Sequence, residues 1–220
     1  TVHLDIVDYP GEWLLDLSLM QKSFEEWSAE VLARMETRDF AAPFREGLAG
    51  LDPAAKLDEP AAKKVAATYT EYLHAARKAG FSDCTPGRFL LPGDMAGSPA
   101  LTFAPLPPGD WPRGSLGREF ARRFDSYKRE IVRPFFRDHF ARIDRQVVLM
   151  DVLGAIHAGP RAVEDMRAAM SDTLEAFRPG TNSWLLPILR GRRVEKILFA
   201  ATKADHLHHA QHAQLTAIAT

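Results

Sequence analysis

Lys196-Ile197-Leu198-Phe199-Ala200-Ala201-Thr202-Lys203-Ala204-Asp205 is an apolar run closed by a polar tetrapeptide. The run has the length and apolar density of a strand covered within a sheet, and a last helix is expected to start near Asp205. Upstream, Gln146-Val147-Val148-Leu149-Met150-Asp151-Val152 is a second run of the kind found in central strands covered on both faces of a parallel sheet. Helical periodicity across Ala162–Phe177, stopped by Pro179-Gly180, joins the two. Strand, crossover helix and strand imply a parallel pair. Val2–Asp8, stopped at Tyr9-Pro10-Gly11, reads as a third strand. The expected fold class is α/β with a parallel sheet.

The long stretch between the first strand and Gln146 is mostly helical in pattern. Leu19, Met20, Phe24, Trp27, Val31 and Leu32 recur at three- and four-residue steps, which predicts a helix from Leu19 to about Met35, and a second follows near Phe40–Leu48. Asp58-Glu59-Pro60 starts a long helix over 59–79 with Gly80 as its stop. Residues between Gly80 and Pro112 are rich in Pro and Gly and predict irregular chain, with a short strand at Ala100–Leu106. Periodicity resumes from Ser115 to about Arg142, where Pro134 is expected to kink or divide the helix. The resulting division is residues 1–18 and 144–220 for the sheet domain, with 19–143 as a helical insertion.

A net charge of −1 gives no electrostatic footprint of a nucleic-acid binder. One cysteine, Cys84, excludes an internal disulfide and fits a reducing, cytoplasmic setting. No apolar run reaches the roughly eighteen residues needed to span a bilayer, so no transmembrane segment is expected. The chain opens Thr1-Val2-His3 and runs at once into strand-like sequence, which reads as the continuation of something longer.

Thr202-Lys203-Ala204-Asp205 matches the [Asn/Thr]-Lys-x-Asp loop that reads guanine. A carboxylate at Asp205 can accept from N1–H and the 2-amino group of the base, while the stem of Lys203 lies over its plane. The plainer alternative makes Asp205 a helix cap and leaves Lys203 solvated. Asp8-Tyr9-Pro10-Gly11 matches the Asp-x-x-Gly pattern in which Asp reaches Mg²⁺ through water and the Gly N–H senses a terminal phosphate. Alone, the same four residues describe a turn. Both motifs fall at carboxyl ends of strands, where open α/β sheets bind ligands. Glu12 occupies the place of a water-orienting residue and is a catalytic candidate, with a surface carboxylate as its alternative.

Other signals read as structural. Gly154-Ala155-Ile156-His157-Ala158-Gly159-Pro160-Arg161 has the glycine spacing of a phosphate loop but carries Pro160 and Arg161 where the chemistry needs Lys and Ser/Thr, and Pro160 suits the first turn of a helix. No Gly-x-x-x-x-Gly-Lys-[Ser/Thr] occurs in the chain. His206, His208, His209 and His212 cluster without a third zinc ligand in view and read as a helix face. Arg113–Arg145 holds ten basic residues against five acidic ones, interleaved with phenylalanines. This is either a solvated face over an aromatic core or a surface that docks a protein partner or a membrane.

Four stretches resemble the YcjX-like family of bacterial P-loop GTPases: Asp5–Leu17, Asp144–Asp151, Ala158-Gly159-Pro160 with Asp165-Met166-Arg167, and Lys196–His206. The resemblance implies a P-loop NTPase-type parallel sheet interrupted by the helical insertion, binding GTP or GDP with Mg²⁺. It places Asp8 at the metal, Gly11 at the terminal phosphate, and Thr202, Lys203, Asp205 and His206 at the guanine nucleotide. It further implies that the phosphate loop lies upstream of Asp8 in that family, so that these residues form a fragment of a GTPase. The alternative is a helical docking module, with Trp13 and the Arg113–Arg145 helices as contact surface and nucleotide regulatory or lost.

Overall fold

The computed structural model describes residues 6, 8–138, 145–177 and 196–203. Helix α1 spans Glu12–Leu19. After a break at Met20–Lys22, α2 spans Phe24–Met35. The sequence pattern predicts one helix from Leu19, whereas Leu19 ends α1, a helix the pattern does not predict, and the next helix begins only at Phe24. Ser23 separates them: its hydroxyl accepts from Glu26 N, and the Glu26 carboxylate accepts from Ser23 N, a capping box that satisfies two amides only if a new helix begins there. A 3₁₀ turn leads into α3, Ala42–Ala49, and α4 covers Glu59–Lys78 with Pro60 in its first turn. At the far end of α4, Gly80 takes φ +88 and Phe81 N returns to Ala76 O at 3.0 Å, the reversal that the glycine predicts.

From Gly80 to Pro112 the chain is irregular apart from the short α5, Gly87–Leu90, and two 3₁₀ turns. The strand expected at Ala100–Leu106 does not form. Pro99–Leu101 is a 3₁₀ turn, and the buried Phe103, Ala104 and Leu106 reach the core from coil. The reason is in the hydrogen bonding: Leu106 N donates to the Ser28 hydroxyl at 3.3 Å, so a side chain on α2 takes the place of a ladder partner. α6 spans Leu116–Tyr127, Lys128–Val132 forms a π turn, and α7 spans Arg133–Asp138. The irregularity expected at Pro134 thus lies one turn earlier. Proline at 134 cannot donate to residue 130 and crowds its carbonyl, and widening the preceding turn relieves both.

Aromatic residues fill the helical core. Trp27 of α2 stacks on Phe124 of α6 at 5.0 Å between centroids, and meets Tyr69 of α4 and Phe103 edge-on at 5.9 and 5.7 Å. Leu14 and Leu17 of α1 bury in the same core. The basic residues of the α6–α7 region are largely paired: Arg123 with Glu59 and Glu119, Arg122 with Glu119, Lys128 with Asp125, and Arg137 with Asp138. Their phenylalanines 120, 124 and 136 point inward.

Strands β1, Arg145–Met150, and β2, Lys196–Ala201, pair in parallel, with Met150 opposite Ala201. The crossover holds α8, Val152–Ala158, and α9, Pro160–Phe177. Val152 opens α8 rather than closing β1, because the Asp151 side chain caps the helix at that point. Pro160 starts α9, and residues 154–158 are helical, so the glycine-spaced segment is not a phosphate loop here. Met150 and Val152 anchor a second core with Met166, Met170 and Phe199. Val147 and Leu149 are 58% and 69% exposed, so the described part of the sheet is covered on one face rather than both. The proposed first strand, the last helix and the histidine cluster fall almost wholly outside the described residues. The part of the fold described is mostly helical with a small parallel sheet, an arrangement compatible with the α/β class. Among the described residues no helix is long and apolar enough to cross a membrane.

Candidate functional site

In-register parallel pairing brings the carboxyl ends of β1 and β2 level, so Asp151 and Thr202 leave the sheet side by side. Thr202 is stitched to β1 twice: its amide donates to Met150 O at 2.8 Å and its hydroxyl to the same oxygen at 3.0 Å. Lys203 adopts φ +60, the left-handed region that costs an L-residue roughly 1–2 kcal/mol. Its ammonium donates to Asp151 Oδ2. Asp151 also accepts from Gly154 N at 2.9 Å through Oδ1. A Cβ at Gly154 would lie 2.7 Å from Asp151 Oδ2, so glycine makes room for this carboxylate. Asp205 and His206 lie outside the described residues.

At the second motif, Asp8 is exposed, and Gly11, also exposed, stands at the N-cap of α1. Trp13 N and Leu14 N bond back to Pro10 O and Gly11 O at 3.1 and 3.0 Å, which turns the loop straight into helix. Glu12 sits in the first turn, where a carboxylate complements the helix dipole, and pairs with Arg77 of α4 at 2.5 Å. Trp13 donates from Nε1 to Leu91 O at 3.0 Å, and the Arg88 guanidinium lies 3.2 Å above its ring. Asp16 is buried, accepting from Gly87 N at 2.8 Å and Tyr127 Oη at 2.5 Å. Burial pushes its carboxyl up to about 7 against the lowering effect of these two donors and of the Arg88 charge. The helix that leaves the Asp-x-x-Gly loop is therefore fastened to the helical core through Glu12, Trp13 and Asp16.

Two further contacts link the sheet to the helical core. Gln146 of β1 donates to Tyr9 Oη at 2.7 Å, and burial raises the Tyr9 phenol to about 12. Arg38 forks onto both oxygens of Asp83 at 3.0 Å and reaches Asp165 of α9 at 2.9 Å and Tyr72 Oη at 2.8 Å. Asp165 also accepts from Ser82 N and Asp83 N at 2.6 and 3.0 Å. Burial, then the neighbouring Asp83 charge, push the Asp165 carboxyl up to about 6, with Arg38 opposing. Cys84 is buried against Leu73 O and Phe81 O, and its thiol is driven well above the ordinary range by burial.

Asp16, Asp151 and the Arg38 network were not singled out by motif reasoning. Asp16 left a readable trace, an acid inside the apolar run Leu14-Leu15-Asp16-Leu17, where a buried and hydrogen-bonded carboxylate is the physical expectation. Arg38 and Asp83 are far apart in sequence and carry no local signal. Among the described residues no group of three His, Cys, Asp or Glu side chains converges to hold a metal. A Mg²⁺ ion that keeps its waters and takes one protein carboxylate plus phosphate oxygens needs no such group, and the exposed Asp8 fits that mode.

The model of the YcjX-like family matches residues 1–220. The chain is 40% identical over 229 residues to the Ras-like GTPase YcjX of Escherichia coli K12, covering 99% of this chain and 49% of that protein. It is 36% identical over 233 residues to the Ras-like GTPase YcjX of Shewanella oneidensis MR-1, covering 100% of this chain and 48% of that one. The chain spans about half the length of the curated relatives it matches.

Proposed function

Since the chain belongs to the YcjX-like family, we propose that it forms the guanine-reading and metal-supporting part of a cytoplasmic GTP-binding protein that hydrolyses GTP. The observation that carries this reading is the placement of Thr202 and Lys203 directly at the carboxyl end of β2, level with the end of β1. In this reading the sheet residues belong to a P-loop NTPase-type domain made of 1–18 and 144–220, with 19–143 inserted as the helical part. Thr202, Lys203, Asp205 and His206 line the guanine nucleotide. Asp205 accepts from the base, and the Lys203 stem covers it. Gly11 N–H faces the γ-phosphate, and Asp8 holds Mg²⁺ through water. Mg²⁺ bound there would supply charge neutralisation for the nucleotide's phosphates.

Phosphate contacts come from a loop outside these 220 residues, since no Gly-x-x-x-x-Gly-Lys-[Ser/Thr] is present in them. Hydrolysis is in-line attack of water on the γ-phosphorus: the water oxygen bonds to phosphorus, the bond to the β-phosphate oxygen breaks, the water's protons pass to the released phosphate and to solvent, and GDP and phosphate leave. Glu12 orients that water once its carboxylate exchanges Arg77 for the nucleophile. Phosphate release by the full-length protein tests the reading. It should require Mg²⁺, prefer GTP to ATP, and fall at least about tenfold in Asp8→Ala. Equal turnover of ATP, or turnover unaffected by Asp8→Ala, overturns it.

A further inference from the structure

We infer that Asp151 is a positioning residue for guanine recognition, acting through Lys203. The inference rests on the guanine-loop reading and adds to it a residue on a different strand. A lysine stem can cover a base only if its ammonium is held beyond the ring's edge; a mobile lysine must lose its rotamer freedom on binding. Here Asp151 Oδ2 accepts from the Lys203 ammonium across the strand ends. The Lys203 backbone is held in the left-handed region at φ +60, and Thr202 is fixed twice to Met150 O, the residue just before Asp151. The acceptor is itself oriented, because its other oxygen takes the Gly154 amide at 2.9 Å. Gly154 lacks the Cβ that would come within 2.7 Å of Oδ2 and 2.8 Å of Cγ. The guanine loop and the start of α8 are thus keyed to one carboxylate.

Both partners are about half exposed, at 54% for Lys203 and 43% for Asp151, so the ion pair adds little to folding stability. Its effect is on order at the loop, which separates the inference from a structural role. Asp151→Asn keeps an acceptor for the Gly154 amide and removes the charge that holds Lys203. Gly154→Ala keeps the charge and displaces the carboxylate. Lys203→Ala removes the group through which Asp151 acts.

The test is equilibrium binding of fluorescent GDP and ADP to the full-length protein, with thermal unfolding alongside. Asp151→Asn and Gly154→Ala should each weaken GDP binding about tenfold while leaving ADP binding unchanged, and Asp151→Asn, which keeps the cap on α8, should also leave the melting temperature unchanged. Adding Asp151→Asn to Lys203→Ala should cause no further loss, because the carboxylate acts only through the lysine. Wild-type GDP affinity in Asp151→Asn, a melting-temperature drop in that variant that accounts for its loss, or additive losses in the double variant would overturn the inference while leaving the guanine-loop reading intact. Absence of guanine preference in the wild-type protein would overturn both.

Discussion

Replacing Asp16 by Asn should change how stability depends on pH. Asp16 is 2% exposed, and burial raises its carboxyl to about 7 from an ordinary 3.8. Folding therefore favours the protonated form, so Asp16 contributes fully below the unfolded value, and that contribution is lost as pH rises through the folded one. At about 1.4 kcal/mol per unit the full penalty is about 4 kcal/mol, of which about 3 kcal/mol develops between pH 5 and pH 8.5. Asn preserves the side-chain shape and an acceptor for Gly87 N, and it has no proton to lose. Urea unfolding of wild type and Asp16→Asn at the two pH values gives the difference directly and cancels the other titrating groups, Asp165 among them. The variant should gain about 3 kcal/mol on the wild type as pH rises from 5 to 8.5. A wild-type-minus-variant difference that stays constant across that range would refute the reasoning, as would one that moves the other way.

Arg38→Ala removes the cation shared by Asp83 and Asp165 and should cost about 3–5 kcal/mol in urea unfolding, with a larger loss at pH 8 than at pH 5 because Asp165 ionises in between; an equal loss at both would contradict the network. Gly87→Ala would place a Cβ 2.0 Å from Glu12 O, so α1 must move off α5, and a lowered melting temperature with altered Trp13 fluorescence should follow. Ser23→Ala loses the capping box on α2 and should cost about 1 kcal/mol by the same unfolding assay.

The legible parts of the fold were those written in local pattern. Lys196–Ala201 is strand to the residue, Glu59–Lys78 is helix within one residue of expectation, and the crossover between parallel strands follows from chain order. What misled was chemistry acting across the chain. Ala100–Leu106 has strand composition, yet Ser28 on a distant helix takes one of its amides and no ladder forms. Leu19–Met35 has continuous helical periodicity, and periodicity does not register the Ser23 cap that divides it. The position of Thr202 and Lys203 directly after β2 could be read from the apolar run that precedes them. Asp151 could not, because its tie to Lys203 exists only once β1 and β2 stand in register. The fastening of α1 is hidden for the same reason: Arg77, Arg88 and Tyr127 are remote in sequence from Glu12, Trp13 and Asp16.

Base selectivity tests most directly the proposal that the loop after β2 reads guanine. Fluorescent guanine, adenine and xanthine nucleotides would be titrated against the full-length protein and its Asp205→Asn variant. An amide in place of the carboxylate keeps an acceptor for N1–H, loses the acceptor for the 2-amino group and gains a donor suited to the 2-oxo group of xanthine. Guanine preference in the wild type and a shift to xanthine in the variant are expected. Equal binding of guanine and adenine by the wild type, or unchanged guanine preference in Asp205→Asn, would contradict the proposal.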